Sequence, residues 1–355
     1  MKTLLVLLLA MAPLCVRADQ SVDPYNVFLW KQGDRGDWYE WWYYKVVDPQ
    51  SGEAFYFTYG VVNPGDTGGK KKGTQAVVQV GSFGQGNVTQ TVYPLSQFSA
   101  SAQATDVRIG PNTATDKRIT GSVKDISWDL SIDKKWSFNA MGWAMKQPGI
   151  SNIYWYPAQA SASMTGTINF RGKKYTFNQA TAYQDRNWGR SFPDWWTWLV
   201  SNNFKGSPGT TLAAGGGKPR AFGGPALFSG LCIGLNYQGK EYAFRTTDGD
   251  TVNFDIAWGK WEVTATNGQG QKIEISAYAP KEKFLLLPFN SPNGDLFYDY
   301  EALTGHMTVK LSEQMKGEWL PVATLETDQA GIEWGSPKPI GLDEIFSNGR
   351  RILQK

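Results

Sequence analysis

Short runs of aromatic and β-branched residues, separated by glycine- and proline-containing turns, recur along most of this chain. The early runs lie at 38–47, 53–62 and 74–83, with turn residues such as "DPQSG" and "NPGDTGG" between them. The same residue types dominate the composition, since the 355 residues include 16 Trp, 16 Tyr, 18 Phe and 39 Gly. Aromatic and β-branched residues pack well on a pleated surface, and Gly and Pro end strands. The sequence therefore predicts an all-β protein built from many short antiparallel strands.

Two stretches have hairpin signatures, and the number of strand-like runs indicates two barrels. "NFRGKKY" at 169–175 and "NYQGKEY" at 236–242 each place a glycine between two strand-like runs. Residues 19–185 and 186–355 each contain enough such runs for a barrel of about eight strands. We therefore expect two β-barrel domains. A helix-period pattern in "GLDEIFSNGRRILQK" also predicts a short C-terminal helix.

The first residues have the features of a secretory signal. Lys2 supplies a positive start, an apolar run follows from Leu4 to Leu14, and small residues at the cleavage position end with Ala18. The apolar run is short for a membrane span, which favours a cleaved signal over an uncleaved anchor. We expect removal of residues 1–18 and export to the periplasm or the cell exterior, with no later transmembrane segment.

The scarcity of histidine and cysteine excludes several kinds of site. His306 is the only histidine, so a histidine-cluster metal site cannot form, and a Ser-His-Asp triad would depend on one residue in a strand-like segment. Cys232 is the cysteine that remains after the signal, in an apolar run typical of a buried thiol. No Asp/Gly loop has calcium-binding spacing, so we predict no metal site. The net charge of +3 gives no reason to expect nucleic acid as a partner.

The densest group of reactive side chains lies at 183–204, in "YQDRNWGRSFPDWWTWLVSNNF". Asp185 and Arg186 are surrounded there by Trp and Tyr residues. Desolvation of a charged pair in such surroundings is costly, so we expect the pair either to have a function or to have a full set of partners. On a strand the two neighbours point to opposite faces, which argues against a direct ion pair between them. A structural ion pair at a barrel end is the alternative interpretation.

The same stretch resembles the "Y-x-E-K-N-W-G…F-P-x-x-W-x-W" signature of the tocopherol cyclase family. "YEWWYYKVVD…AFYFTYGVVNP" is similar to the family's early "EGWYFKV…F-x-Y-x-x-x-NP" block. Weaker blocks follow in the family's order, namely "LAAGGG", "CIGLNYQGKEYAF", "WGKWEVTATN" and "LETDQAGIEWGS". The resemblance covers nearly all of the chain after the signal. It implies two lipocalin-like antiparallel β-barrels, in a superfamily that also includes carotenoid 1,2-hydratases and Diels–Alderases.

The resemblance also implies an apolar cavity that shapes a long isoprenoid or polyene for reaction, without a cofactor. Tocopherol cyclases protonate a trisubstituted alkene of a prenylated hydroquinone, and the phenol oxygen then captures the tertiary cation. Such a reaction needs a carboxylic acid that burial keeps neutral, and an aromatic lining that stabilises positive charge. We therefore expect an apolar, isoprenoid-like small molecule as the partner of a monomeric protein.

Two carboxyl groups are candidates for the acid and base. Asp185 is the candidate acid, or the group that orients it, and Glu40 is the second carboxyl. Glu40 shares a strand face with Trp42 and Tyr44. If both carboxyls reach one cavity, one donates the alkene proton and the other accepts the phenol proton. The candidate substrate-binding residues are Trp42, Tyr44, Tyr59, Tyr183, Trp188, Trp198 and Asn203.

Alternatives remain open for these residues and for the function. Glu40 can instead bind Lys45 or backbone amides, and the Trp cluster can be ordinary core. A lipocalin-like carrier needs the cavity but no acid, a hydratase needs a bound water, and a pericyclase needs mainly shape. The chain also has Asp185-Arg186 where the family has Glu-Lys. The export signal differs from the plastid or internal-membrane location of tocopherol cyclases, which favours a related prenylated or polyene-like substrate over a tocopherol precursor.

Overall fold

The computed structural model describes residues 22–48, 50–221, 224–226, 229–340, 344–347 and 350–353. The predicted secretory signal, residues 1–18, lies outside the described residues. Nearly all regular structure in these ranges is antiparallel β-sheet, which confirms the predicted fold class. None of the helical segments in the same ranges has the length and apolar character needed to cross a membrane.

Within the described residues, the first sheet has 11 strands and curves into a nearly closed barrel. Its strands are β1 Tyr39–Val47, β2 Ala54–Val62, β3 Gln75–Ser82, β4 Asn87–Tyr93, β5 Phe98–Ala100, β6 Asp106–Ile109, β7 Asn112–Thr115, β8 Arg118–Val123, β9 Ile126–Trp136, β10 Ile153–Phe170 and β11 Lys173–Gly189. They pair in the order β4-β3-β2-β1-β11-β10-β9-β8-β7-β6-β5. Strand β1 therefore lies between β2 and β11, inside the sheet rather than at its edge.

The second sheet, counted over the same ranges, has 10 strands and forms the second nearly closed barrel. Its strands are β12 Trp196–Ser201, β13 Thr211–Gly217, β14 Gly230–Tyr237, β15 Lys240–Arg245, β16 Thr251–Ala257, β17 Lys260–Thr266, β18 Gln271–Tyr278, β19 Leu285–Asn290, β20 Leu296–Met315 and β21 Glu318–Ser336. They pair in the order β15-β14-β13-β12-β21-β20-β18-β17-β16, and β19 pairs with β20. The long strands β20 and β21 thus run through the middle of this sheet.

Both predicted hairpins are confirmed. The β10–β11 turn has Arg171 and Gly172 at its centre, with φ of 49° and 79°. The β14–β15 turn has Gln238 and Gly239, with φ of 51° and 78°. Positive φ at both central residues is the requirement of a type I′ turn, whose twist matches that of the paired strands.

The predicted C-terminal helix is not found. Strands β22 Glu344–Ser347 and β23 Arg350–Leu353 pair antiparallel in this segment, and its other residues lie outside the described ranges. A short helix-period pattern predicts a helix only weakly, because strand pairing in the folded protein can outweigh the local helix propensity. The helices that the structure describes are short 3₁₀ turns at Leu95–Gln97, Gly142–Lys146, Thr246–Asp248 and Lys281–Lys283.

Each barrel has its own apolar interior, and a further cluster lies between the barrels. Trp42 belongs to the interior of the first barrel and Trp261 to that of the second. The third cluster contains residues of both sheets, including Tyr183 of β11 and Trp198 of β12. The two sheets therefore pack against each other on faces that are also apolar.

Strand β1 is buried on both faces, and this arrangement positions the site. Trp42 and Tyr44 point into the first barrel, whereas Trp41 and Tyr43 point toward the second sheet. Asp185 of β11 lies directly opposite Tyr43 in the antiparallel ladder. Opposite residues of a ladder share a face, so Asp185 also points toward the second sheet.

Candidate active site

A cavity of about 510 Å³ lies between the two sheets. Its reactive and aromatic lining includes Trp41, Tyr43, Trp155, Asp185 and Asn187 from the first sheet and Trp196, Trp198, Asp299, Glu301 and Glu333 from the second. Small-molecule sites typically occupy roughly 300–1,000 Å³ and have apolar walls with a few polar groups. The cavity has both properties.

Asp185 presents one fixed oxygen and one free oxygen. Its side chain is buried, and Oδ2 accepts hydrogen bonds from Trp155 Nε1 and from the Tyr183 hydroxyl, both at 2.8 Å. Trp198 Nε1 donates to the Tyr183 oxygen at 3.1 Å, which holds the phenol in place. Oδ1 has no hydrogen-bond partner among the described residues, and Asp185 lines the cavity. The protein therefore orients this carboxyl through Oδ2 and leaves Oδ1, which is itself buried, without a partner in the cavity wall.

Burial raises the pKa of Asp185 to about 7. Hydrogen bonds from Trp155 and Tyr183 act in the opposite direction, because they favour the charged form. The carboxyl therefore retains its proton up to near-neutral pH. The same donors stabilise the carboxylate once the proton has left.

Three further carboxyl groups line the cavity from the second sheet. Glu301 on β20 lies directly opposite Glu333 on β21, and Asp299 is the next residue on the same face of β20. The Tyr43 hydroxyl donates to Glu301, and Trp196 Nε1 donates to Asp299 at 3.2 Å. Asp299 and Glu333 are diagonal neighbours across the same ladder. Register alone therefore brings these carboxyls together.

Burial raises the pKa of all three of these carboxyls well above the ordinary range. Mutual repulsion adds to the effect, since the charge of Asp299 raises the pKa of Glu333. Lys45 is buried close by, where desolvation lowers its pKa to about 8 and Glu301 opposes the shift. At least one proton is therefore retained among these carboxyls at neutral pH.

Two glycines of β21 make room for the indole rings beside these carboxyls. A Cβ at Gly331 would lie 2.4 Å from a ring carbon of Trp198, and a Cβ at Gly335 would lie 2.3 Å from Nε1 of Trp196. Alternation along the strand puts both glycines on the same face as Glu333. The sequence "GIEWG" thus seats two indoles against the strand that carries a cavity carboxyl.

Arg186 points to the opposite face of β11 and forms a fully buried ion pair with Glu40. Glu40 also accepts hydrogen bonds from the backbone amides of Leu29 and Trp30, and the guanidinium lies 3.9 Å from the centroid of the Trp42 ring. The pair therefore fastens the segment before β1 to the first barrel. Glu40 does not line the cavity, because its face of β1 points into the first barrel, so the expected meeting of the two predicted carboxyls is not found.

Tyr183 and Trp198 are the predicted substrate-binding residues that belong to the network around Asp185. The others lie away from the cavity, namely Trp42, Tyr44, Tyr59, Trp188 and Asn203. The first three pack inside the first barrel. Trp188 stacks on Tyr154 with ring centroids 5.6 Å apart, and Asn203 is exposed and donates to Gln329 at 2.7 Å.

Tyr43, Asp299, Glu301 and Glu333 line the cavity but were not predicted from the sequence as site residues. The stretch "LFYDYEALTG" could have predicted two of them, because its two carboxylates occupy alternate positions of an otherwise apolar strand and so share one face. Carboxylates are seldom buried unless they are paired or functional. Glu333 sits in a similar apolar stretch, between two glycines on its own face.

Other reactive side chains contribute little to the cavity. Cys232 lines it, but burial raises the pKa of the thiol to about 12, so the thiol stays protonated and unreactive. His306 pairs with Asp328 at 2.8 Å and does not line the cavity. Across the described part of the chain, no three His, Cys, Asp or Glu side chains are grouped so that they would hold a metal ion.

Comparison with known proteins identifies relatives over part of the chain. The family model described as "Tocopherol cyclase-like" matches residues 121–336. "Probable tocopherol cyclase, chloroplastic" of Oryza sativa subsp. japonica is 36% identical over 138 residues, which are 38% of this chain and 29% of that protein. "Tocopherol cyclase, chloroplastic" of Zea mays is 33% identical over 146 residues, which are 41% of this chain and 30% of that protein. The matched segment thus spans less than a third of either plant protein.

Solved structures share the fold at low sequence identity. A crystal structure of a protein from Nitrosomonas europaea superimposes with a TM-score of 0.52 at 14% identity, covering 85% of this chain and 93% of that chain. The crystal structure of CghA superimposes with a TM-score of 0.52 at 11% identity, covering 84% of this chain and 88% of that chain. These likenesses support the lipocalin-like two-barrel fold expected from the sequence. Since the family match at 121–336 covers more than half of the 355 residues, the chain belongs to the tocopherol cyclase-like family.

Proposed function

We propose that this protein catalyses the acid-assisted ring closure of a prenylated quinol, or of a related isoprenoid or polyene, in the cavity between its sheets. The observation that carries the proposal is the geometry of Asp185, which lines an aromatic cavity and has one oxygen held by Trp155 and Tyr183 and the other without a partner. Membership of the tocopherol cyclase-like family supports cyclisation as the class of reaction.

Asp185 is the proton donor in this proposal. Its pKa of about 7 leaves a large fraction of the carboxyl protonated at neutral pH. Oδ1–H protonates the alkene carbon that leaves the positive charge on the more substituted carbon. Trp155 and Tyr183 then stabilise the new carboxylate through Oδ2, and these donors are oriented before the reaction begins.

The indole rings stabilise the carbocation that follows. The cavity is lined by Trp41, Trp155, Trp196 and Trp198. A cation close to such a ring face gains about 0.5–2 kcal/mol per good contact, and an indole does not add to the cation as water does. The phenol oxygen then forms the C–O bond and loses its proton, so that the product is an isomer of the substrate.

Product analysis of the purified protein tests the proposal. The protein is incubated with prenylated hydroquinones, linear polyenes and fatty lipids, and bound and converted species are identified by mass spectrometry and chromatography. The expected result is a ring-closed isomer of unchanged mass, formed from a prenylated quinol. A product heavier by one water would identify a hydratase, and binding of all three ligand classes without conversion would identify a carrier; either result would contradict the proposal.

A further inference from the structure

We propose that Glu333, acting with Asp299, is the base that takes the phenol proton during ring closure. This inference rests on the proposed function and assigns the second carboxyl role of the site. Formation of the C–O bond releases one proton from the attacking oxygen, and a group on the cavity wall must receive it. Glu40 does not line the cavity and is bound to Arg186, so it is not available for this role.

Glu333 and Asp299 are neighbouring carboxyls in the cavity wall. Glu333 lies opposite Glu301 in the β20–β21 ladder, and Asp299 is its diagonal neighbour, within reach of its side chain. Asp299 is 2% exposed and accepts a hydrogen bond from Trp196 Nε1. Glu333 is only half-buried and lines the cavity. Glu333 is therefore the accessible member of the pair and Asp299 the enclosed one.

This arrangement allows the pair to accept one proton. Two neighbouring carboxyls in an apolar wall share a proton, because two negative charges there repel each other. With that proton on Glu333, the charge lies on Asp299, where the Trp196 N–H stabilises it. Glu333 then takes the phenol proton on one oxygen and passes its own proton to Asp299. Both carboxyls end neutral, a state that burial in this wall favours.

The acid and the base lie on opposite walls and are coupled through charge. Asp185 belongs to the first sheet and Glu333 to the second, and the charge on Asp185 raises the pKa of Glu333. Transfer of the Asp185 proton to the alkene therefore makes Glu333 a stronger base in the same turnover. The Asp185 O–H bond and the alkene π bond break as the C–H bond forms; the C–O bond then forms as the phenol O–H bond breaks and a new O–H bond forms on the pair. Water that enters after product release returns the proton from the pair to Asp185.

Deuterium labelling separates loss of the base from loss of the acid. Wild type, Glu333→Gln, Asp299→Asn and Asp185→Asn are each incubated in D₂O with a prenylated quinol that the wild type cyclises. In Glu333→Gln and Asp299→Asn, ring closure is expected to fall by about 10²-fold or more with KM little changed. The cation still forms but returns to alkene by losing a proton, so recovered substrate gains deuterium. Asp185→Asn is expected to give neither product nor labelled substrate.

Glu53→Gln is the matched control. Glu53 is a buried carboxyl that accepts from Ser82 and from the Gly84 amide outside the cavity, and its variant is expected to cyclise like the wild type. Two results would overturn the inference. One is ring closure at the wild-type rate in Glu333→Gln. The other is loss of ring closure in folded Glu333→Gln and Asp299→Asn without deuterium in the recovered substrate. Absence of conversion by the wild type would instead overturn the proposed function itself.

Discussion

Asp185 and Arg186 are adjacent in the chain but lie in separate environments on the two faces of β11. Asp185 faces an aromatic cavity, where its nearest donors are neutral N–H and O–H groups. Arg186 faces the first barrel, where Glu40 neutralises it and the carbonyl oxygens of Tyr25 and Val27 accept from its guanidinium. Both side chains are therefore buried, but with different results. The Asp185 carboxyl has a raised pKa, whereas Arg186 is neutralised in an ion pair with Glu40.

Replacement of Asp185 by Asn should stabilise the protein at neutral and higher pH. The folded-state pKa of about 7 exceeds the ordinary value of 3.8, so the folded state binds more protons than the unfolded state between these pH values. The wild type therefore loses stability as pH rises from about 4 to 7, by at most about 4 kcal/mol. Asp185→Asn lacks this loss and should be about 1–3 kcal/mol more stable at pH 8.

Urea unfolding of the two proteins at pH 4 and pH 8 measures this difference. Glu301, Glu333, Arg186 and Tyr183 also act on this carboxyl or respond to it, and they are present in both proteins. The predicted signature is a gap in the free energy of unfolding at pH 8 that closes near pH 4. A gap of the same size at both pH values would contradict the assignment of a raised pKa to Asp185.

Glu40→Gln should have the opposite effect on stability. Gln keeps the shape of the side chain but removes the charge that faces the buried guanidinium of Arg186. Loss of one partner of a buried ion pair typically costs about 3–5 kcal/mol. Thermal unfolding beside Glu53→Gln, a buried carboxyl with no cation partner in the described structure, isolates the contribution of the pair. Equal destabilisation in both variants would contradict a special role for Glu40.

The Tyr183 hydroxyl should matter for catalysis, whereas the Tyr44 hydroxyl should not. Tyr183 donates to the fixed oxygen of Asp185, and a hydrogen bond to a charged group contributes about 1.5–3 kcal/mol. Tyr183→Phe should therefore slow ring closure by roughly 10–100-fold. Tyr44→Phe is the matched control, since its buried hydroxyl has no partner among the described residues. Equal rates in the two variants would contradict the role given to Tyr183.

At the scale of secondary-structure elements, β21 shows how one strand prepares the site. Gly331 and Gly335 leave space for two indole rings, and Glu333 between them faces the cavity. Gly331→Ala would put Cβ 2.4 Å from the Trp198 ring. Overpacking of this kind costs about 1–3 kcal/mol, and displacement of Trp198 also removes its donation to the Tyr183 hydroxyl. The variant should lose more activity than its stability change accounts for.

Gly268→Ala provides the comparison for this prediction. A Cβ at Gly268 would meet no atom within 4 Å, so the variant should match the wild type in thermal unfolding, tryptophan fluorescence and ring closure. Gly331→Ala should differ in all three. An unchanged emission spectrum in Gly331→Ala would contradict the close approach of the Trp198 indole to β21.

Strand identity and hairpin position could be predicted from the sequence, because both depend on local rules. The strands followed from the alternation of side chains and from the β-branched and aromatic content. The hairpins followed from the turn residues Arg171-Gly172 and Gln238-Gly239. The face of Asp185 relative to Arg186 also followed from period two. These are the features in which side-chain chemistry and strand geometry act within a few residues of each other.

The composition of the site could not be predicted to the same extent, because it depends on register and on which face meets which sheet. Both faces of β1 are aromatic and buried, so alternation cannot tell whether Glu40 or Tyr43 faces the cavity. Asp299 and Glu333 are far apart in the chain and meet only through the β20–β21 register. Each strand has a carboxylate within an apolar run, which predicts a buried carboxylate, but the pairing of the two carboxylates is determined by the tertiary structure.

At the scale of the whole molecule, each of the two sheets contributes part of the candidate site. The first sheet supplies Asp185 and the tyrosine that orients it, and the second supplies the carboxyl pair and two indoles. Neither sheet forms the cavity alone, because each provides only one wall. The apolar cluster that packs the sheets together also contains Tyr183 and Trp198, so the packing of the two barrels and the orientation of the acid depend on the same side chains.

The most direct test of the central claim compares binding and single-turnover conversion of one prenylated quinol by wild type and Asp185→Asn. Quenching of tryptophan fluorescence gives Kd, and chromatography of the quenched reaction gives the rate of ring closure. If Asp185 is the proton donor, Kd changes little and ring closure falls by about 10³-fold or more in Asp185→Asn. Ring closure at the wild-type rate in Asp185→Asn, with equal binding, would show that the proton comes from another group and would contradict the account.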